Sequence, residues 1–110
     1  MKQYVIDELR PKDHNKIREY LEATYGSAEI DGIYWVPLAT EMLTEIQHAH
    51  TDCQPFYLAI DLEADRLALE LLVRTKNRIR CACIAYASED QRNWIMSVVD
   101  AIFEKLNITT

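Results

Sequence analysis

A chain of 110 residues, 49% hydrophobic and 27% charged, has the make-up of one folded domain spanning 1–110 rather than of a disordered segment. Its formal net charge of −6 works against polyanionic partners, so neither nucleic acid nor an anionic membrane surface is expected. Three cysteines, an odd number, make no disulfide framework. With no signal-like run in MKQYVIDELR and no apolar stretch approaching ~20 residues, a reducing, cytoplasmic setting is expected.

The segment QYVIDEL (3–9) alternates loosely and predicts a short strand. Pro11 then opens PKDHNKIREYLEATYG. Ile17, Tyr20, Leu21 and Thr24 recur there at i, i+3, i+4 and i+7, and Gly26 stands where a helix-ending glycine belongs. IDGIYWVPL (30–38) predicts a second strand stopped by Pro37. Tyr34 and Trp35 fall on opposite faces of it, so one of the two is expected at the surface or in an interface. A second helix is predicted over 38–49, with Leu38, Met42, Ile46 and Ala49 along one face.

Beyond the loop TDCQP, three strands are predicted in succession. Phe56, Leu58, Ile60 and Leu62 alternate, as do Leu67, Leu69, Leu71 and Val73. A turn at Glu63–Arg66 would pair Leu62 with Leu67, Ile60 with Leu69 and Leu58 with Leu71 on one face. The third strand is RIRCACIAYA (78–87). An odd-length loop before it brings Cys81 and Cys83 to the leucine face, and an even-length loop turns them away. Finally, Ser88 with Gln91 forms a capping-box signature ahead of a helix carrying Trp94, Ile95, Val98, Val99, Ile102, Phe103 and Leu106. The expected architecture is α+β, a two-layer sandwich of order β-α-β-α-β-β-β-α, with an antiparallel meander packed against helices.

Three groups of residues carry candidate chemistry. QHAHTDC clusters His48, His50 and Cys53, which together with Cys81 and Cys83 offer the nitrogen and sulfur ligands zinc takes. The spacings C-x-C and H-x-H are not a recognised ligand pattern, and His48 and His50 would diverge by ~200° on a helix. Core packing by small apolar thiols is the competing reading. VRTKNRIR concentrates Arg74, Lys76, Arg78 and Arg80, a positive spot suited to an acidic partner. Tyr34 and Trp35 complete the interaction candidates.

Residues 4–21, YVIDELRPKDHNKIREYL, resemble the opening of acetyltransferases of the GNAT superfamily: a strand, then R-P-x-D, then an amphipathic helix. That resemblance implies a coenzyme A pyrophosphate loop of the form R/Q-x-x-G-x-G/A. The chain has no glycine after Gly32, so neither that loop nor any other phosphate-cradling glycine motif is present there. No catalytic set emerges, enzymatic activity is not anticipated, and no cofactor is implied.

The apolar surplus on the strands, including Ala59, Leu72, Ala82, Ile84 and Tyr86, exceeds what a solvated sheet face accommodates. The sequence therefore points to a non-enzymatic interaction or regulatory domain acting as a homodimer or with another protein. The alternative is a small-ligand or metal-binding protein with a site at His48, His50, Cys53, Cys81 and Cys83.

Overall fold

In chain order the elements are β1 (Gln3–Ile6), α1 (Pro11–Tyr25), β2 (Ile33–Pro37), α2 (Glu45–Ala49), β3 (Phe56–Leu62), β4 (Leu67–Glu70), β5 (Leu72–Thr75), β6 (Ala85–Tyr86) and α3 (Glu89–Lys105). They are those of a computed structural model that describes residues 2–26, 30, 32–76 and 81–109. Because β4 and β5 are one strand interrupted at Leu71, the order is the α+β succession β-α-β-α-β-β-β-α.

All six strands belong to one antiparallel sheet, and β3 organises it. One edge of β3 pairs with β2 along five residues, from Ile33 opposite Asp61 to Pro37 opposite Tyr57. The other edge pairs first with β4, where Ile60 faces Leu69 and Leu62 faces Leu67, the register that alternation predicts. It then pairs with β5, where Tyr57 faces Arg74 and Phe56 faces Thr75. Leu58 does not pair with Leu71. Between the two ladders lie two residues of β3, Leu58 and Ala59, but four on the opposite side, Glu70, Leu71, Leu72 and Val73. Two extra residues bulge the strand yet preserve its parity, so Leu67, Leu69, Val73 and Thr75 all point into the core. Beyond this interrupted strand, β1 pairs with β4 and β6 with β5.

The helices line the side of the sheet to which Leu58, Ile60, Leu62, Leu67, Leu69 and Val73 point. Ile17 and Leu21 of α1 join Ile95, Val99, Ile102 and Phe103 of α3 in that single core. Pro11 occupies the first turn of α1 in place of a side-chain cap, and Asp13 supplies the acid favoured there. Gly26, at φ 87°, closes the helix by donating to the Glu22 carbonyl.

Two predicted elements differ from the observed ones. The helix expected over 38–49 is broken into a 3₁₀ turn at Thr40–Met42 and the short α2, because Thr44 opens α2 as its own N-cap. Leu38 is buried, but Ile46 is 54% exposed, so the expected apolar face does not form. The strand expected over 78–87 is reduced to Ala85–Tyr86. Its residues 78–80 lie outside the described ones, and Cys81–Ile84 is instead a turn, closed by the Ile84 N–H donating 3.0 Å to the Cys81 carbonyl. The odd-register alternative is the one realised: Val73 faces Ala85, and Cys83 enters the core.

Candidate functional site

The three cysteines come from two segments and meet in space. Cys53 ends a 3₁₀ turn, Thr51–Cys53, that follows α2 directly. Its carbonyl accepts a hydrogen bond from the Thr75 hydroxyl of β5, which ties the turn to the sheet. Cys81 and Cys83 stand on the turn leading into β6. Their Sγ atoms and that of Cys53 all lie within 4.8 Å of one another, with 3.8 Å between Cys53 and Cys81. Cys53 and Cys83 are buried and Cys81 is half-buried; none is in a disulfide.

What fixes this geometry is a pair of buried glutamines. Gln47 is the N3 residue of the Thr44 capping box and Gln91 that of the Ser88 box, so each side chain accepts from its own N-cap N–H. The boxes are joined: Gln91 Nε2 donates to Gln47 Oε1 at 2.9 Å and to the Met42 carbonyl at 2.9 Å. Gln47 Nε2 then reaches the Cys83 carbonyl at 3.4 Å. The N-terminal ends of α2 and α3 thereby hold the cysteine turn through one hydrogen-bonded chain. Such chains are stable in a core only when each member has partners, as these do.

The thiols do not share one acidity. Hydrogen bonding from the Cys83 side chain, and then from the Cys83 backbone N–H 3.5 Å away, holds Cys81 below the ordinary thiol value, with His50 adding to the effect. Burial pushes Cys53 up, and burial pushes Cys83 up to about 12. One thiolate is therefore favoured at Cys81, the member open to solvent.

The predicted ligand set divides accordingly. Cys53, Cys81 and Cys83 converge. His50 is half-buried, acts electrostatically on Cys81, and has Nδ1 2.7 Å from the Ile46 carbonyl. His48 is exposed, with its carbonyl taken by Gln54 Nε2.

The sheet face away from the helices forms a second candidate surface. Trp35 and Tyr57 meet there edge to face, with ring centres 6.0 Å apart, and the Lys76 ammonium stands 4.8 Å from the Tyr57 ring and 5.7 Å from that of Trp35. Around them lie Ala59, Ala68 and Leu72, with Val5 43% and Tyr86 46% exposed. Tyr34, by contrast, points into the core, where it is 5% exposed, because β2 alternates and Trp35 takes the outer side. Of the basic cluster, Arg74 pairs with Glu70 and Lys76 covers the aromatic rings; Arg78 and Arg80 lie outside the described residues. Among the five apolar residues expected on this face, Ala59, Leu72 and Tyr86 are on it, while Ile84 packs against the core and Ala82 sits exposed in the cysteine turn.

Gln47 and Gln91 are the functional positions that sequence reading passed over. The Ser88–Gln91 signature was legible, but its role beyond capping was not. The matching Thr44–Gln47 signature was hidden inside the longer helix predicted there.

No protein-family model, no curated protein and no solved structure matches the chain. No described helix is long and apolar enough to cross a membrane.

Proposed function

We propose that the chain is a non-enzymatic interaction domain that associates with a second copy of itself through the outer face of the sheet, in a reducing compartment such as the cytoplasm. The observation that carries this reading is the apolar and aromatic tract Val5, Trp35, Tyr57, Leu72 and Tyr86, opposite the helices, with Ala59 and Ala68 already covered beneath it. Tyr and Trp are enriched where partners meet, and a tract rimmed by charge marks an interface more often than a solvated face. Exposed cation–π contacts contribute only ~0.5–1 kcal/mol, so the Lys76 cover is readily displaced.

Charge favours a second copy as the occupant. The face runs from Asp61, Glu63 and Asp65 at the β3–β4 end to Arg74 and Lys76 at the other. A two-fold axis lying in the plane of the interface, across the strands, lays the acidic end of one protomer over the basic end of its partner, the self-complementary pattern of an isologous dimer. A stable contact of this kind covers ~800 Å² per partner.

Sedimentation over a concentration series tests the reading. The wild-type chain is expected to be dimeric at tens of micromolar, and Leu72→Lys combined with Tyr86→Lys is expected to be monomeric with an unchanged circular dichroism spectrum. A wild-type monomer throughout the series removes it.

A further inference from the structure

The geometry points to a soft divalent metal site, of the zinc type, built from the thiolates of Cys53, Cys81 and Cys83, with the fourth position left to water or another exogenous donor. It is separate from the outer sheet face and does not depend on dimerisation. Tetrahedral zinc with sulfur ligands at ~2.3 Å requires neighbouring sulfurs ~3.8 Å apart. Cys53 and Cys81 already stand 3.8 Å apart, and all three sulfurs fit within 4.8 Å.

Two further observations agree with a metal. First, the sulfurs are brought together by backbone that is pinned from outside: the Cys53 carbonyl by Thr75 and the Cys83 carbonyl by Gln47. Second, the Cys83 N–H approaches Cys81 Sγ at 3.5 Å, the outer-shell contact that steadies a metal thiolate. His50, with Nδ1 2.7 Å from the Ile46 carbonyl, stands outside the cluster of sulfur atoms. Cys53 ends one turn, and Cys81 and Cys83 stand on another. A metal would thus staple the segment after α2 to the segment before β6, two pieces of chain that share no strand pairing among the described residues.

The chemistry of the donors selects the metal. Three thiolates suit zinc, whereas calcium and magnesium require oxygen ligands. With three protein ligands the site leaves one tetrahedral position for water or another donor.

The test uses the full chain without a histidine tag, reduced, and expressed in zinc-supplemented medium. Elemental analysis is expected to find about one zinc per chain. Titrating the metal-free protein with Co²⁺ is expected to give the intense visible bands of a tetrahedral site together with sulfur-to-cobalt charge transfer in the near ultraviolet. Cys81→Ser should abolish the stoichiometric metal, and His48→Ala should leave it unchanged. Cobalt spectra of the wild-type chain need no variant to fold. A wild-type chain that takes up neither zinc nor cobalt overturns the site. So does a cobalt complex lacking the charge-transfer bands, or metal retained equally by Cys81→Ser.

Discussion

Gln91 Nε2 donates a 2.9 Å hydrogen bond to Gln47 Oε1, so two helix caps that lie 44 positions apart in the chain are a single buried structure. Each glutamine does two jobs, capping its own helix and supporting the other. Replacing Gln91 with Ala removes a cap worth ~1 kcal/mol and leaves Gln47 and the Met42 carbonyl short of a donor, at a further ~1–3 kcal/mol. A total loss of about 3 kcal/mol is expected by denaturant unfolding. The double variant with Gln47→Ala should lose less than the sum of the two singles, by about 1 kcal/mol or more. Strict additivity would show that the two caps act independently.

Gly32 and Gly26 both have positive φ, 82° and 87°, but only Gly32 is crowded. A Cβ at Gly32 would stand 2.8 Å from the Leu62 carbonyl oxygen, whereas nothing lies within 4 Å of one at Gly26. Gly32 also accepts the Leu62 N–H at 2.7 Å, so its backbone has no room to shift. Both alanine variants carry the conformational cost of ~1–2 kcal/mol, and Gly32→Ala is expected to be the more destabilised of the two. Equal melting temperatures would contradict this.

In the metal-free, reduced protein the thiols should alkylate in a fixed order. Cys81 is expected to react first, with a half-maximal rate at a pH below the ordinary 9.0, because hydrogen bonds from Cys83 favour its thiolate. Cys83, with burial pushing it up to about 12, should remain unmodified across the same range. Peptide mapping after timed exposure to iodoacetamide reads the order directly.

Burial, reinforced by the neighbouring Tyr20, raises the Tyr25 phenol above its usual 10.0. A group whose value is raised on folding binds its proton more tightly in the native state. Its contribution is fully present below pH 10 and is lost as pH rises past it. Tyr25→Phe should therefore have a shallower alkaline limb in stability-versus-pH curves than the wild type. Parallel limbs would mean that this phenol is equally hydrated in both states.

Leu38 and Ile46 separate the broken helix from the continuous one. On an unbroken helix over 38–49 both would share a buried face. As observed, Leu38 is 7% exposed and Ile46 54%. Leu38→Ala is expected to cost ~2–5 kcal/mol, and Ile46→Lys to stay within ~0.5 kcal/mol. A comparable loss at both positions would restore the longer helix.

Alternation and capping made much of this fold readable in the sequence. The pairing of Ile60 with Leu69 follows from hydrophobic period alone, and the start of α3 follows from Ser88 and Gln91. What escaped was decided by contacts distant in the chain. Apolar residues run on both sides from Cys81 to Ala87, which suits a buried strand and a tight turn equally; in the structure the turn is closed by Ile84 N–H on the Cys81 carbonyl and held by Gln47 on the Cys83 carbonyl. Cys53, Cys81 and Cys83 fall in one candidate ligand set, but that the three meet while His48 stays apart was out of reach. Spacing along a sequence says nothing about which loops a sheet brings to one end. Tyr34 and Trp35 were correctly set on opposite faces, but which face is the core depends on the partner strand.

The two-residue excess at Glu70–Val73 also constrains how the chain can change length. Removing one residue there would turn Val73 and Thr75 inside out; removing two would keep them inward and merge β4 and β5 into one straight strand. Gains and losses in this segment are thus admissible only in pairs, and the smallest one that keeps the hydrophobic layer intact also erases the bend that gives β1 and β6 separate berths.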